Sequence, residues 1–261
     1  MIPQRPFRKW SLRDSKRMPS MRRPTCGSAT STLIAARPTR QSGRGAKGPW
    51  GKGLEAFPGN QDYRFQSVGG EQRLADLFGP HSQLITYHFM FGPDWEEGCK
   101  ICSMLGDHYD PLITHLKGRD VALVAVSNAP VDRLAAYKDR MGWRFDWVSS
   151  MGSDFNLDFG VTFTQKEMEE GTMHYNYTLG GFPSTECPGI STFSKSESGE
   201  IFYTYSAYSR ALENFLGIYN FLDIVPKGRD EEALPYGMFW VRHHDRYDET
   251  AFVDPYAPKT T

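Results

Sequence analysis

A chain of 261 residues with 39% hydrophobic and 14% aromatic content can bury one packed domain and still leave a tail. Its four cysteines are too few for a disulfide scaffold, and no apolar run approaches the roughly 18 residues of a membrane helix, which fits a soluble protein of a reducing compartment. The net charge of −1 hides a polarised chain: residues 1–50 hold twelve of the 30 Lys and Arg and one acid, Asp14, a net of +11 that leaves −12 for the remainder.

That basic segment is rich in Ser, Pro and Gly and has no apolar period, so it cannot offset its ordering entropy. Residues 1–53 are expected to be a disordered extension and residues 54–261 one domain. The Arg- and Ser-rich, acid-poor text resembles a mitochondrial transit peptide, yet Pro3, Pro6, Pro19 and Pro24 interrupt any amphipathic helix. A cytoplasmic location is the primary expectation and a mitochondrial one the alternative. Charge of this sign does not select a partner, and neither nucleic acid nor membrane is expected as one.

Tyr63 to Val68 alternates like a strand before the turn signal Gly69-Gly70, and Leu74 to Phe78 reads as a short helical turn ended by Gly79-Pro80. The apolar run Leu84 to Phe91 predicts a buried strand. Behind it stand Cys99 and Cys102, at the entry to a segment of helical spacing from Cys102 to Leu116. A CxxC pair at a strand-to-helix junction meets unpaired backbone N–H groups and the helix dipole, which stabilise a thiolate. Two intervening residues let the sulfurs bridge within one turn, so the expected chemistry is dithiol–disulfide exchange. A structural zinc site normally wants a second CxxC or two histidines at defined spacing; there is no second CxxC and the adjacent His243-His244 lack that spacing, so no metal and no cofactor are expected. Two inert buried thiols are the plainer alternative.

Gly118 ends this helix, and Val121 to Val126 reads as a strand covered on both faces. Val131 to Met141 has helical spacing with Gly142 as its stop, and Phe145 to Ser149 is a further strand. This βαβαβ order predicts an α/β sheet with parallel neighbours, whose sites lie beyond the carboxyl ends of the strands. Residues 150–187 look like an insertion. Within it Asp154 and Asp158 could reach the site as proton acceptors, although loop capping is the more ordinary role. A hairpin over Ile190–Phe193 and Ile201–Tyr205, a helix from Ser209 to Leu222 and an apolar patch at Met238–Val241 complete the chain.

A CxxC after the first core strand, a βαβαβ half, then a proline leading into a hairpin and closing helix resembles the thioredoxin superfamily. Longer words are more specific. Tyr87 through Cys99 (YHFMFGPDWEEGC), Arg140-Met141-Gly142-Trp143, Val148-Ser149-Ser150 with Gly152 to Asn156, and Pro226 to Asp230 are similar to the domain of unknown function 899 family. The likeness covers roughly residues 60–248. Members of that family are described as predicted dithiol–disulfide oxidoreductases. The resemblance implies a thioredoxin-like fold: a central mixed sheet flanked by helices, with an insertion before the C-terminal β-hairpin and helix.

It further implies Cys99 as nucleophile and Cys102 as the resolving thiol, acting on a disulfide-containing protein or small thiol and recharged by a cellular thiol reductant. Lys100 and the helix dipole favour the thiolate, whereas Glu96 and Glu97 oppose it. Trp95 holds roughly the place of an aromatic that shields the dithiol, and a packed core tryptophan is the competing reading. Pro188 fits the superfamily's cis-proline facing the CxxC, which would put Cys187 close enough to Cys99 to resolve a disulfide or to serve as a third metal ligand. The plainer reading of Cys187 is a small buried residue, and that of His88 a satisfied core histidine. A non-catalytic binding module and a non-standard thiol peroxidase remain the competing functions; the peroxidase motif P-x-x-x-[TS]-x-x-C fails, because counting from Pro93 places Glu97 and Lys100 at its last two named positions.

Overall fold

The computed structural model describes residues 62–248, so the expectations for residues 1–53 lie outside it. Its centre is a seven-stranded mixed sheet in the order β2-β1-β5-β4-β3-β8-β9. The strands are β1 (Arg64–Ser67), β2 (Gly70–Arg73), β3 (Gln83–His88), β4 (Val121–Ser127), β5 (Asp146–Ser149), β8 (Gly189–Lys195) and β9 (Ile201–Tyr208); β6 (His174–Tyr175) and β7 (Thr178–Leu179) form a separate small hairpin. β3 pairs parallel with β4, and β4 with β5, while β8 runs antiparallel to β3. The helices are α1 (Lys100–Tyr109), α2 (Ile113–Lys117), α3 (Val131–Met141), α4 (Phe155–Asp158), α5 (Gln165–Glu170) and α6 (Gly217–Leu222). This is the expected thioredoxin-like arrangement.

Successive side chains of a strand face opposite ways, and the core divides accordingly. Tyr87, Leu123, Ala125 and Ile190 point to the face covered by α1 and α3. Leu84, Val124, Val126, Val148 and Phe193 point to the other, where Phe155 of α4 packs with Tyr63 and Phe65. β4 is therefore covered on both sides, which is why its sequence is apolar almost throughout. No helix among the described residues is long and apolar enough to cross a membrane.

Several elements depart from the sequence expectation. The long helix after the dithiol breaks into α1, a 3-10 turn and α2, because Pro111 cannot continue the α1 ladder. Residues 70–73 pair with β1 as a tight antiparallel partner. The insertion is structured: Thr164 caps α5, with its hydroxyl accepting from the Glu167 N–H and the Glu167 carboxylate accepting from the Thr164 N–H. The closing helix is a 3-10 turn over Ser209–Phe215 followed by the short α6. Gly142 ends α3 at φ 66°, the left-handed conformation that favours glycine.

Candidate active site

β3 runs out at His88, and Phe89 still donates its N–H to Val126 O of β4 at 2.9 Å. The chain then loops through Gly92–Gly98 and returns, so that the Cys99 N–H donates to Met90 O at 3.0 Å. Cys99 is thereby fixed as the N-cap of α1, beyond the carboxyl ends of the parallel strands. The Ser103 N–H and hydroxyl both donate to Cys99 O, at 2.8 and 2.9 Å, and the Ser103 hydroxyl shares a further hydrogen bond with Tyr137. Beneath lies an aromatic floor of Phe89, Phe91, Tyr137, Trp143 and Trp147.

Cys99, Cys102 and Cys187 are all thiols. Cys99 is 5% exposed and Cys102 1%. Burial pushes the Cys102 thiol well up from its ordinary value; its hydrogen bond to Cys99 and the Cys99 charge push the same way, while Tyr87 and the Met90 backbone pull it down. The two sulfurs thus interact directly, one helical turn apart.

The charges expected to act on Cys99 have other partners. Lys100 is buried, donates from Nζ to Phe239 O at 2.9 Å, and lies over the Tyr236 and Phe239 rings. Glu97 pairs with Arg140 at 2.8 Å and Arg246 at 3.0 Å. His243 donates from Nε2 to Gly98 O at 2.9 Å, and burial holds it below its usual range. Segment 236–246 is thus strapped across the start of α1, with Val241 fully buried in the same core. Nothing in the helical or strand period of the sequence marks this strap.

Three further expectations need correction. The bond before Pro188 is trans, since the described residues contain no cis peptide. Pro188 lies one step beyond the His88–Gly189 pair, at the right end of the sheet, but its carbonyl accepts from the Tyr175 hydroxyl at 2.8 Å. Pro188 therefore forms no cis-proline groove. Cys187 packs with Val161, Phe163, Met173, Tyr175 and Tyr208, in a cluster separate from the one holding Cys99 and Cys102. No group of three His, Cys, Asp or Glu side chains among the described residues could hold a metal, so Cys187 is not a third ligand.

Asp154 and Asp158 belong to α4, on the face opposite α1. Asp158 accepts from the Tyr63 hydroxyl at 2.6 Å, and Asp154 occupies the N-cap of α4 without a side-chain capping bond. Neither is brought to the dithiol as a proton acceptor. Trp95 is half-buried, packed on the core and folded over Gly92, where an added Cβ would lie 2.7 Å from its indole nitrogen. His88 is the satisfied core histidine: Nδ1 donates to Asn156 at 3.2 Å, and Nε2 accepts from Ser191 at 2.9 Å.

Sequence reasoning missed one titratable group at the same end of the sheet. Glu186 is buried, accepts from Asn128 at 3.2 Å and Thr162 at 2.7 Å, and burial pushes its carboxyl up to about 7.

A family model described as "Bacterial protein of unknown function (DUF899)" matches residues 53–247. No curated protein matches the chain. Among solved structures, peroxiredoxin Q of Xanthomonas campestris aligns at 14% identity and TM-score 0.41, over 60% of this chain and 87% of its own. Peroxidoxin BcpB of Mycobacterium tuberculosis aligns at 14% identity and TM-score 0.41, over 59% and 89%. The mitochondrial 2-Cys peroxiredoxin of Plasmodium falciparum gives 12% identity and 0.38, over 62% and 89%. Likeness at this level bears on no residue's role.

Proposed function

The chain belongs to this bacterial family, DUF899, and we propose that it is a thiol–disulfide oxidoreductase in which Cys99 attacks and Cys102 resolves. The observation that carries the reading is the position of Cys99 at the N-cap of α1, with the Cys102 thiol in hydrogen-bond contact with it from one turn further in. At a helix N-terminus the unpaired N–H groups favour the anion, and thiolate is the attacking species. Cys99 Sγ forms a bond to one sulfur of a substrate disulfide, whose S–S bond breaks and releases a thiolate. Cys102 Sγ then attacks Cys99, the second substrate sulfur leaves as thiolate, and the protein holds a Cys99–Cys102 disulfide. A cellular thiol reductant supplies the two electrons that reopen it.

The burial of both sulfurs and the trans bond before Pro188 favour a low-molecular-weight disulfide over an extended protein segment. Reduction of a small disulfide by the dithiothreitol-reduced protein tests the reading. Cys99→Ser should abolish turnover, and Cys102→Ser should stop after one event with the substrate half attached, read as added mass. No mass change at either thiol after mild oxidation would leave a non-catalytic module instead. Peroxide consumption without disulfide reduction would turn the assignment to thiol peroxidase.

A further inference from the structure

Two buried phenols flank the resolving sulfur: among the described residues the Tyr87 hydroxyl has no partner but the Cys102 sulfur, and the Tyr109 hydroxyl has none. Tyr87 reaches toward α1 from β3 and is 1% exposed. Tyr109 is 5% exposed and stands two turns beyond Cys102 on α1, a position from which a helical tyrosine projects back toward the N-terminus. Their rings meet edge to face at 5.1 Å. Cys102 is the polar group that bears electrostatically on both. Natural cores rarely leave a buried hydroxyl without an oxygen or nitrogen acceptor, and two beside a reactive sulfur call for an acceptor that strengthens during the reaction.

A resting thiol is a weak acceptor, whereas a thiolate is a strong one that shortens and strengthens the bonds it receives. We propose that Tyr87 and Tyr109 are positioning residues that donate their hydroxyl hydrogens to the Cys102 thiolate as it forms. The inference rests on the oxidoreductase reading and supplies a need of its second step. There the Cys102 thiol gives its proton to water, its electron pair forms the bond to Cys99 Sγ, the bond from Cys99 to the substrate sulfur breaks, and that sulfur leaves with its pair as a thiolate. Cys102 must be ionised to attack, in a place that burial makes hostile to charge. The Met90 backbone N–H supplies a third donor to the same sulfur. When a reductant reopens the disulfide, the phenols receive the Cys102 thiolate as leaving group.

The test uses 5,5′-dithiobis(2-nitrobenzoate) as the small disulfide, since each coloured thiolate it releases reports one step. The first release follows attack by Cys99, and the second follows resolution by Cys102. Tyr87→Phe and Tyr109→Phe keep the rings and remove the donors. The double variant should give the first release within about twofold of the wild type, the second slowed about tenfold at pH 7, and the pH inflection of the second raised by about one unit. Each single variant should slow the second release about threefold, so the inference stays testable if the double variant does not fold. An unaltered second release with an unaltered pH profile in folded variants overturns the donor role and leaves the oxidoreductase reading standing. A wild type that gives no second release, or a Cys102→Ser variant that still gives two, overturns both.

Discussion

Gly106 lies one turn beyond Cys102 on α1, and a Cβ added there would sit 2.9 Å from the Trp143 ring. Alanine is the better helix former by about 1 kcal/mol, but displacing a packed indole costs about 1–3 kcal/mol. Gly106→Ala should therefore lower the urea midpoint rather than raise it, and an unchanged or higher midpoint would show that the ring gives way freely. At this scale the sequence discloses type and spacing, which suffice for Cys99, Cys102 and His88. It does not disclose which way a hydroxyl or ammonium points. Lys100 reads as an activator of its neighbour, yet its Nζ holds the Phe239 carbonyl. Tyr87 and Tyr109 read only as apolar members of a strand and a helix, because what a buried hydroxyl faces leaves no mark on periodicity. Pro188 resembles the superfamily's proline by its place before a strand, and that place does not set the isomer of the bond before it.

The strap over residues 236–246 is held at its base by Glu231, whose Oε1 accepts from the Tyr219 hydroxyl at 2.9 Å, the Met238 N–H at 2.8 Å and the Trp240 indole N–H at 2.6 Å. Removing one acceptor that satisfies three buried or half-buried donors should loosen the cover over Cys99 more than it harms the sheet. Glu231→Ala is expected to speed iodoacetamide labelling of Cys99 about tenfold while the far-ultraviolet dichroism stays native. A labelling rate equal to that of the wild type would show that the strap does not limit access. Elements with a strong period were legible: β3, β4, α3 and the hairpin of β8 and β9 stand where their residues predict. Pro111 and the Thr164/Glu167 pair are local signals, of a helix break and a helix start, that carry no apolar period. The strap has no helical or strand period: hydrogen bonds, an ion pair and the buried Val241 hold it one residue at a time.

Across the whole molecule, two buried groups pull stability in opposite directions with pH. The His88 imidazole is pushed down to about 4 from 6.5, so below 6.5 the unfolded chain binds the proton more readily and stability falls as pH falls toward 4. Glu186 is pushed up to about 7 from 4.5, so its contribution is present below 4.5 and is lost as pH rises through 7. Between pH 6.5 and 4.5 the two slopes offset one another. Glu186→Gln should unmask the histidine and make the protein lose about 2 kcal/mol over that interval, measured by urea unfolding at each pH. A variant whose stability stays level would show that His88 titrates near its ordinary value. The strap also has a consequence in time. Phe239 and Arg246 meet Lys100 and Glu97 across 139 and 149 residues of chain. At roughly 5–20 residues per second, synthesis reaches them about 7 to 30 seconds after the cysteines are made. A nascent chain therefore carries its dithiol uncovered for that interval, and a reducing surrounding during synthesis protects it before its own cover can.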